Sequence, residues 1–398
     1  MLKFGRSNFN SRFTETKTIL LIMNYLLSLN LVEIIILSIF FTSFLIQLFY
    51  YLFFYLRIRF YKENSVPAKE QFPVSVIVCA KNEAIYLKEF LPGILNQNYP
   101  DYEVIVVNDG SNDDTEDILK LYKSKYPKLY VTTLPSTGKF KHSKKLAVSI
   151  GLKAAKNKWV LLTDADCKTV SDNWISLMQE KFEEKTDFVL GYGGYISEKG
   201  FLNKIIRFDT LFIALQYFTF AMAKLPYMGV GRNLAYRKDI FFNNKGFFNH
   251  LHLASGDDDL FVNENATSKN VRINLNPDSF TLSVPEKKFK SWFYQKKRHL
   301  TTAKYYRLKY KLVLGFELIS RLLLFVSLIV GLLYPQIIII LALCFLVRYI
   351  VQLMIFYFAS IKFREKGIFY LGIIFDFVIP IINFMVHLSN IKLRKRKK

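Results

Sequence analysis

Cysteine is scarce in this chain. Cys79, Cys167 and Cys344 are the three in 398 residues, scattered and without metal-ligand spacing, which excludes a disulfide framework and a zinc site and points to a reducing, cytoplasmic setting for the middle of the chain. Acidic residues are also in deficit, 32 against 55 lysines and arginines, leaving a net charge of +23. The basic excess does not read as a nucleic-acid surface. It collects beside apolar stretches, at Arg57 and Arg59, through residues 287–307 and in the tail 392–398, which is the positive-inside pattern with affinity for anionic lipid headgroups. The apolar run Ile19 to Tyr55 lacks a small-residue cleavage site and is too long for a signal-peptide core, so it reads as a retained anchor whose best span is Leu31 to Phe54, with Leu20 to Leu29 at the interface.

Between about residues 70 and 290 the composition is that of an ordinary globular domain. After a polar linker containing Pro67, Val74 to Cys79 reads as a strand buried on both faces, and the residues from Asn82 as a helix leaving its end. Glu103 to Asp109 repeats the pattern and is broken by Gly110; Asp113 with Glu116 has capping-box spacing for the next helix. A strand at Leu129 to Leu134, a helix at Lys144 to Ala155 and a strand from Trp159 complete an alternation that predicts an α/β fold with a parallel sheet covered on both faces. Ligands of such a sheet sit at the carboxyl ends of its strands. That rule brings Cys79 to Glu83, Asn108 to Ser111, and Asp164 to Asp166 to one crevice. In extended backbone Asp164 and Asp166 project from one face, a pair of hard oxygens suited to Mg2+ or Mn2+ and, through the cation, to a diphosphate.

Further along, Phe208 to Lys224 is apolar with helical period and reads as buried or membrane-facing on one side, because a full span would put the next residues on the wrong side of the bilayer. Gly229 and Gly231 would let backbone approach a ligand. Asp257, Asp258 and Asp259 repel one another, so a partly buried member would have a raised pKa or need a cation, and could act as a base. Residues 287–310 mix aromatic and basic side chains as an interfacial helix does. Apolar spans at Val313 to Leu333 and Ile337 to Phe358 come next, then Gly367 to Leu388, with Asp376 and Pro380, which either spans or re-enters. Three or four spanning segments are expected. The ranges are 1–60 for the basic segment and anchor, 61–285 for the catalytic domain, 286–311 for the interfacial helix and 312–398 for the membrane region and tail.

Six stretches in order carry a resemblance: Val74 to Glu83, Val106 to Ser111, Lys144 before a helix, Thr163-Asp-Ala-Asp166, Gly256-Asp-Asp-Asp-Leu260 and Gln295-x-x-Arg298. Together they resemble the membrane-bound inverting enzymes of glycosyltransferase family 2, cellulose and hyaluronan synthases among them, over about residues 70 to 310. The resemblance implies a GT-A, Rossmann-like domain that takes a sugar from a nucleotide-diphosphate donor, UDP by family habit, to a hydroxyl of a lipid or glycan acceptor, using Mg2+ or Mn2+. It implies that Glu83 and Asp109, with the backbone of Cys79 and Ala80, hold the nucleoside, that Lys144 and Asp164 lie on the nucleotide side, that Asp166 ligates the metal, and that Gln295 and Arg298 meet the donor. The base falls on Asp257 when Leu260 is aligned and on Asp258 when Gly256 is; Asp257 is preferred. The chain departs from the family pattern at His299, where a tryptophan is usual, and at Gly256, where a glutamate is usual. Membrane lipids, and not nucleic acid, are the remaining expected partners. The competing readings are a processive synthase that exports its product and a non-catalytic membrane scaffold.

Overall fold

A computed structural model describes residues 28–63, 70–135 and 143–395. Most of the expected interfacial stretch, up to Leu27, Pro67 of the linker and the last three residues of the basic tail lie outside the described residues.

By packing, the chain forms two units: residues up to Leu48 with Phe316–Ile350, and Phe49–Gly315 with Val351–Lys398. The first begins at helix α1 (Leu31–Phe49), opened by a reciprocal cap in which the Glu33 N–H donates to Asn30 Oδ1 and the Asn30 N–H to Glu33 Oε2, both at 2.9 Å. Its core joins Ile36, Phe40 and Phe44 to Leu324, Ile337 and Leu341. Polar side chains are buried there as well, and they pair: Gln47 donates to Ser320 Oγ and accepts from Arg348, each at 2.9 Å, while Arg321 is bonded to Glu317.

In the second unit the chain continues from α1 through a π-helical turn, Tyr50–Tyr55, and one more turn, Arg57–Phe60. Strands β1 (Val74–Ala80), β2 (Tyr102–Asn108), β3 (Leu129–Thr133) and β4 (Trp159–Asp164) come next. Helix α2 (Ala84–Leu95) comes after β1, α3 (Thr115–Lys125) after β2 and α4 (Lys144–Ala154) after β3. Residues 167–169 are β5, Trp174–Gln179 α5, Phe188–Leu190 β6, Gly193–Tyr195 β7, Phe201–Met222 α6, Leu234–Arg237 β8, Lys238–Asn243 α7, Asp259–Asn265 α8, Val271–Ile273 β9, Thr281–Ser283 β10 and Phe289–His299 α9. The main sheet runs β3-β2-β1-β4-β8-β6-β9, and β5-β10-β7 form a small second sheet. The first four strands are parallel, as their continuous apolar runs predict, but β8 pairs antiparallel with β4 and β6, so the sheet is mixed. Val76, Val78, Val104, Val106 and Leu161 are wholly buried, each contributing about 1.5–3 kcal/mol.

Helix α4 lies on β1 through Gly151, where an added Cβ would fall 2.6 Å from Ile77 Cγ2 and 3.3 Å from Val107 Cγ2. Gly151→Val is therefore expected to cost about 1–3 kcal/mol by overpacking, read as a lowered thermal midpoint.

Five described helices are long and apolar enough to cross a membrane: Leu31–Phe60, Phe201–Met222, Leu308–Gly331 (α10), Pro335–Lys362 (α11) and Phe369–Val386, the last falling mostly in α12 (Gly372–Lys395). That is more than the three or four expected, because α6 qualifies by length. Most of α6 is nevertheless buried in protein, as its sequence suggested, and its charges Arg207 and Asp209 are paired with Glu365 and Lys296.

Candidate active site

Register sets the crevice. Cys79 lies opposite Asp164 on β4, and Ala80 opposite Asn108 on β2, so three strand ends meet where the chain order reverses about β1. The loops are clasped: Asn82, at φ 58°, donates its N–H to Ser111 Oγ, and Asn112 donates to Asn82 Oδ1. Asp113 does not form the expected capping box with Glu116. It accepts from the N–H groups of Ala84 and Thr115, tying the start of α2 to the loop before α3. Ala80 is buried with its carbonyl accepting the Asp109 N–H, while the Asp109 carboxylate meets Lys81 at 3.3 Å. Burial, then Asp166, Asp164 and Asp113, push Glu83 up to about 7. Burial raises the Cys79 thiol as well.

Asp164 ends β4, but Asp166 lies in the turn before β5, so alternation along one strand does not bring the two together. What aims Asp166 is Ser283 on β10, whose hydroxyl donates to Asp166 Oδ2 at 2.6 Å. The ligand atoms of Asp164, Asp166 and Cys167 lie within 4.8 Å of one another. Two hard oxygens fit Mg2+ or Mn2+; the buried Cys167 thiol, its pKa raised by burial and by both aspartates, stays protonated and does not suit a hard cation. Asp166 is raised by burial and by Asp164, negative charge that a cation would relieve.

Lys144, at the start of α4, is the centre of the site. Its Nζ lies 2.6 Å from Asp164 Oδ1 and 3.5 Å from Asp257 Oδ2. Burial works against the ammonium, but Asp164, Asp257 and Asp258 outweigh it and hold its pKa well above the ordinary lysine value. Burial also disfavours charge on Asp164, yet Lys144, Arg232 and Arg298 bring its pKa below the usual range. The next residue, Lys145, points the other way and donates to the His250 and Leu253 carbonyls at 2.6 and 3.2 Å, fixing the loop that leads into the acidic triplet.

The three aspartates of the triplet have different surroundings. Asp257 is buried and raised by burial; Lys144 lowers it, and Asp258 and Asp164 raise it. Asp258 accepts the Gly231 and Asp259 N–H groups, one on each oxygen, at 2.8 Å. Gly231 thus serves Asp258, and a Cβ added at Gly229 would meet Leu234 at 2.9 Å and Leu190 at 3.1 Å. Asp259 accepts the Thr302 and Tyr306 hydroxyls at 2.5 and 2.8 Å; burial and Asp258 push it up to about 7. Asp259→Ala would strand the buried Tyr306 hydroxyl, while Thr302 keeps the His299 carbonyl at 2.8 Å; a group left unpaired in this way costs about 1–3 kcal/mol, so a fall in thermal midpoint is expected.

Arg232 is a site residue that sequence reasoning passed over, although a lone charged residue inside Tyr227 to Tyr236 was a signal. It donates to the Gly194 carbonyl at 3.0 Å and lies 4.3 Å over the Tyr195 ring, and its charge acts on Asp164 and Asp166. Tyr195 in turn donates to Gln295 Oε1 at 3.5 Å. Arg298, one turn on from Gln295, acts on Asp164 through its charge, while its side chain is exposed.

Residues 75–242 match the family described as Glycosyl transferase family 2. The chain carries a glycosyl transferase family 2 domain. Among relatives of this domain, the Probable glycosyltransferase YdaM of Bacillus subtilis is 29% identical over 266 residues, 63% of this chain and 59% of that protein. An uncharacterized glycosyltransferase of Haemophilus influenzae is 34% identical over 133 residues, 31% of this chain and 36% of the relative. The poly-beta-1,6-N-acetyl-D-glucosamine synthase of Staphylococcus epidermidis is 28% identical over 134 residues, 33% and 31% of the two chains. The chain therefore spans less than two thirds of each of these relatives. The mannosyltransferase PcManGT from Pyrobaculum calidifontis, solved in complex with GDP-Man and Mn2+, superposes with a TM-score of 0.57 at 20% identity, covering 85% of this chain and 100% of that one. The family 2 domain thus has the GT-A fold.

Proposed function

We propose that this chain is an inverting glycosyltransferase that moves a sugar from a nucleotide-diphosphate donor to a hydroxyl of a lipid-linked or glycan acceptor at the cytoplasmic face of the inner membrane. The observation that carries the reading is the position of Lys144 between Asp164 and Asp257, which joins the expected donor half and the expected base half in one site. Glu83 and Asp109, beside the ends of β1 and β2, hold the nucleoside. Asp166, supported by Ser283, and Asp164 hold a divalent cation, which when bound supplies charge neutralisation at the diphosphate. Lys144, Arg232 and Arg298 add fixed positive charge where the leaving diphosphate gains negative charge.

Asp257 takes the proton from the acceptor hydroxyl as its oxygen bonds to the anomeric carbon; the bond from that carbon to the phosphate oxygen breaks, and the electron pair leaves with the nucleoside diphosphate. With a base and no enzyme nucleophile, the attack is a single displacement. The new bond is expected to have the opposite anomeric configuration to the donor, by NMR of the product; retention would overturn the inverting reading.

The four helices of spanning length besides α6 favour, as a second reading, a processive synthase that exports its chain. Product length separates the two: a single added sugar supports the first reading and a polymer the second.

A further inference from the structure

Helix α6 is apolar enough to cross a membrane, yet it buries an aspartate. Asp209 is 7% exposed, and both of its oxygens accept from the equally buried Lys296 Nζ of α9, at 2.8 and 2.7 Å. Lys296 also lies 5.4 Å from the ring of Trp292, one turn earlier on the same buried face of α9. The neighbouring face of α9 carries Gln295 and Arg298, three residues apart and therefore on one side of the helix. Gln295 meets Tyr195, Tyr195 supports Arg232, and the charges of Arg232 and Arg298 both act on Asp164.

A buried ion pair is a poor source of stability, since apolar side chains of similar size do as well or better. It is a good source of register: two charge-assisted bonds fix one nitrogen against one carboxylate, whereas an apolar contact tolerates sliding. Register matters on α9, because a slip of one residue turns Arg298 by about 100° and takes it off the site. Asp209 is itself held firmly. Two residues earlier on α6, Arg207 donates to Glu365 at 2.8 Å, to Ser197 and to the Lys366 carbonyl, and Glu365 also accepts the Tyr192 hydroxyl at 2.8 Å.

We propose that the Asp209–Lys296 pair is a positioning device for the donor site, in which α6 sets the rotation of α9 and so aims Gln295 and Arg298 at the nucleoside diphosphate. This rests on the glycosyltransferase reading. Neither residue touches substrate; each acts through Gln295 and Arg298.

The test uses the full chain in detergent, with UDP and GDP as probes in Mn2+, and three readouts: nucleotide affinity by calorimetry, thermal midpoint, and amide exchange across residues 289–299. The variants are Lys296→Met and the apolar double Asp209→Leu with Lys296→Met. The single variant leaves a buried carboxylate and is expected to melt lower. The double is expected to melt at or above the wild type yet bind the nucleotide about 10- to 100-fold more weakly, with faster exchange in α9 and unchanged exchange in β1, β2 and β4. A folded double with wild-type affinity overturns the proposal, as does unchanged exchange in α9. If the wild type itself binds neither nucleotide, the donor-site reading falls and the positioning role with it. Normal wild-type binding beside an unaffected double counts against the pair alone.

Discussion

Asp257→Asn is expected to abolish transfer while leaving donor binding intact. A positioned carboxylate contributes on the order of 10²- to 10⁴-fold to proton removal, and an amide of the same shape cannot accept the proton, so kcat should fall by about that factor. Two observations favour Asp257 over the neighbouring aspartates for this proposed role. Asp257 sits beside Lys144, and burial with the nearby carboxylates raises its pKa, which makes it a better base near neutrality. Asp258 has both oxygens taken by backbone N–H groups, and Asp259 is occupied by two hydroxyls. Asp258→Asn would set an amide NH2 against a backbone N–H and should cost about 1–3 kcal/mol of stability with a smaller loss in kcat. Single-turnover rates and thermal midpoints for the two variants decide the matter. Normal turnover in Asp257→Asn with none in Asp258→Asn would move the base one residue on.

Lys144→Met should be nearly as damaging, for a different reason. Removing the ammonium leaves Asp164 and Asp257 facing each other without the cation between them. Loss of one charged donor to the developing diphosphate costs on the order of 10²- to 10³-fold in rate. A pH signature separates this from simple misfolding. Lys144 lowers the pKa of Asp257, so without it the base ionises at higher pH, and the rising limb of the activity profile must shift to higher pH. A profile that loses height without shifting would put Lys144 on the phosphates alone.

The strands of the donor half were legible because they are buried on both faces and so are written as unbroken apolar runs: Val74 to Ala80 and Tyr102 to Asn108 lie within a residue of their expected bounds, and the third strand starts at Trp159 as expected but stops at Asp164, short of Asp166. Their polar ends follow from the sheet rule, and the structure brings Glu83, Asp109 and Asp164 to neighbouring strand ends. Alternation failed one residue beyond β4, where the backbone turns and Ser283, from more than a hundred residues later, holds Asp166. The capping box failed because Asp113 found partners on another loop as well as its own. The roles of Asp259 and the Asp209–Lys296 pair were beyond reading, and Arg232 carried only the signal of a charge in an apolar setting: local sequence gives a buried charge no meaning until the fold supplies its partner. For α6, a buried or membrane-facing helix was expected in place of a span, and the pairing of Arg207 and Asp209 shows what holds it in protein.

The central claim is that Asp164, Asp166 and Lys144 form the donor half of a glycosyltransferase site. Its most direct test is nucleoside diphosphate release from a panel of UDP- and GDP-sugars by the purified protein in Mn2+, with Asp166→Ala alongside. Release from at least one donor by the wild type, lost in Asp166→Ala, is the predicted result; release from none, or equal release by the variant, would contradict it.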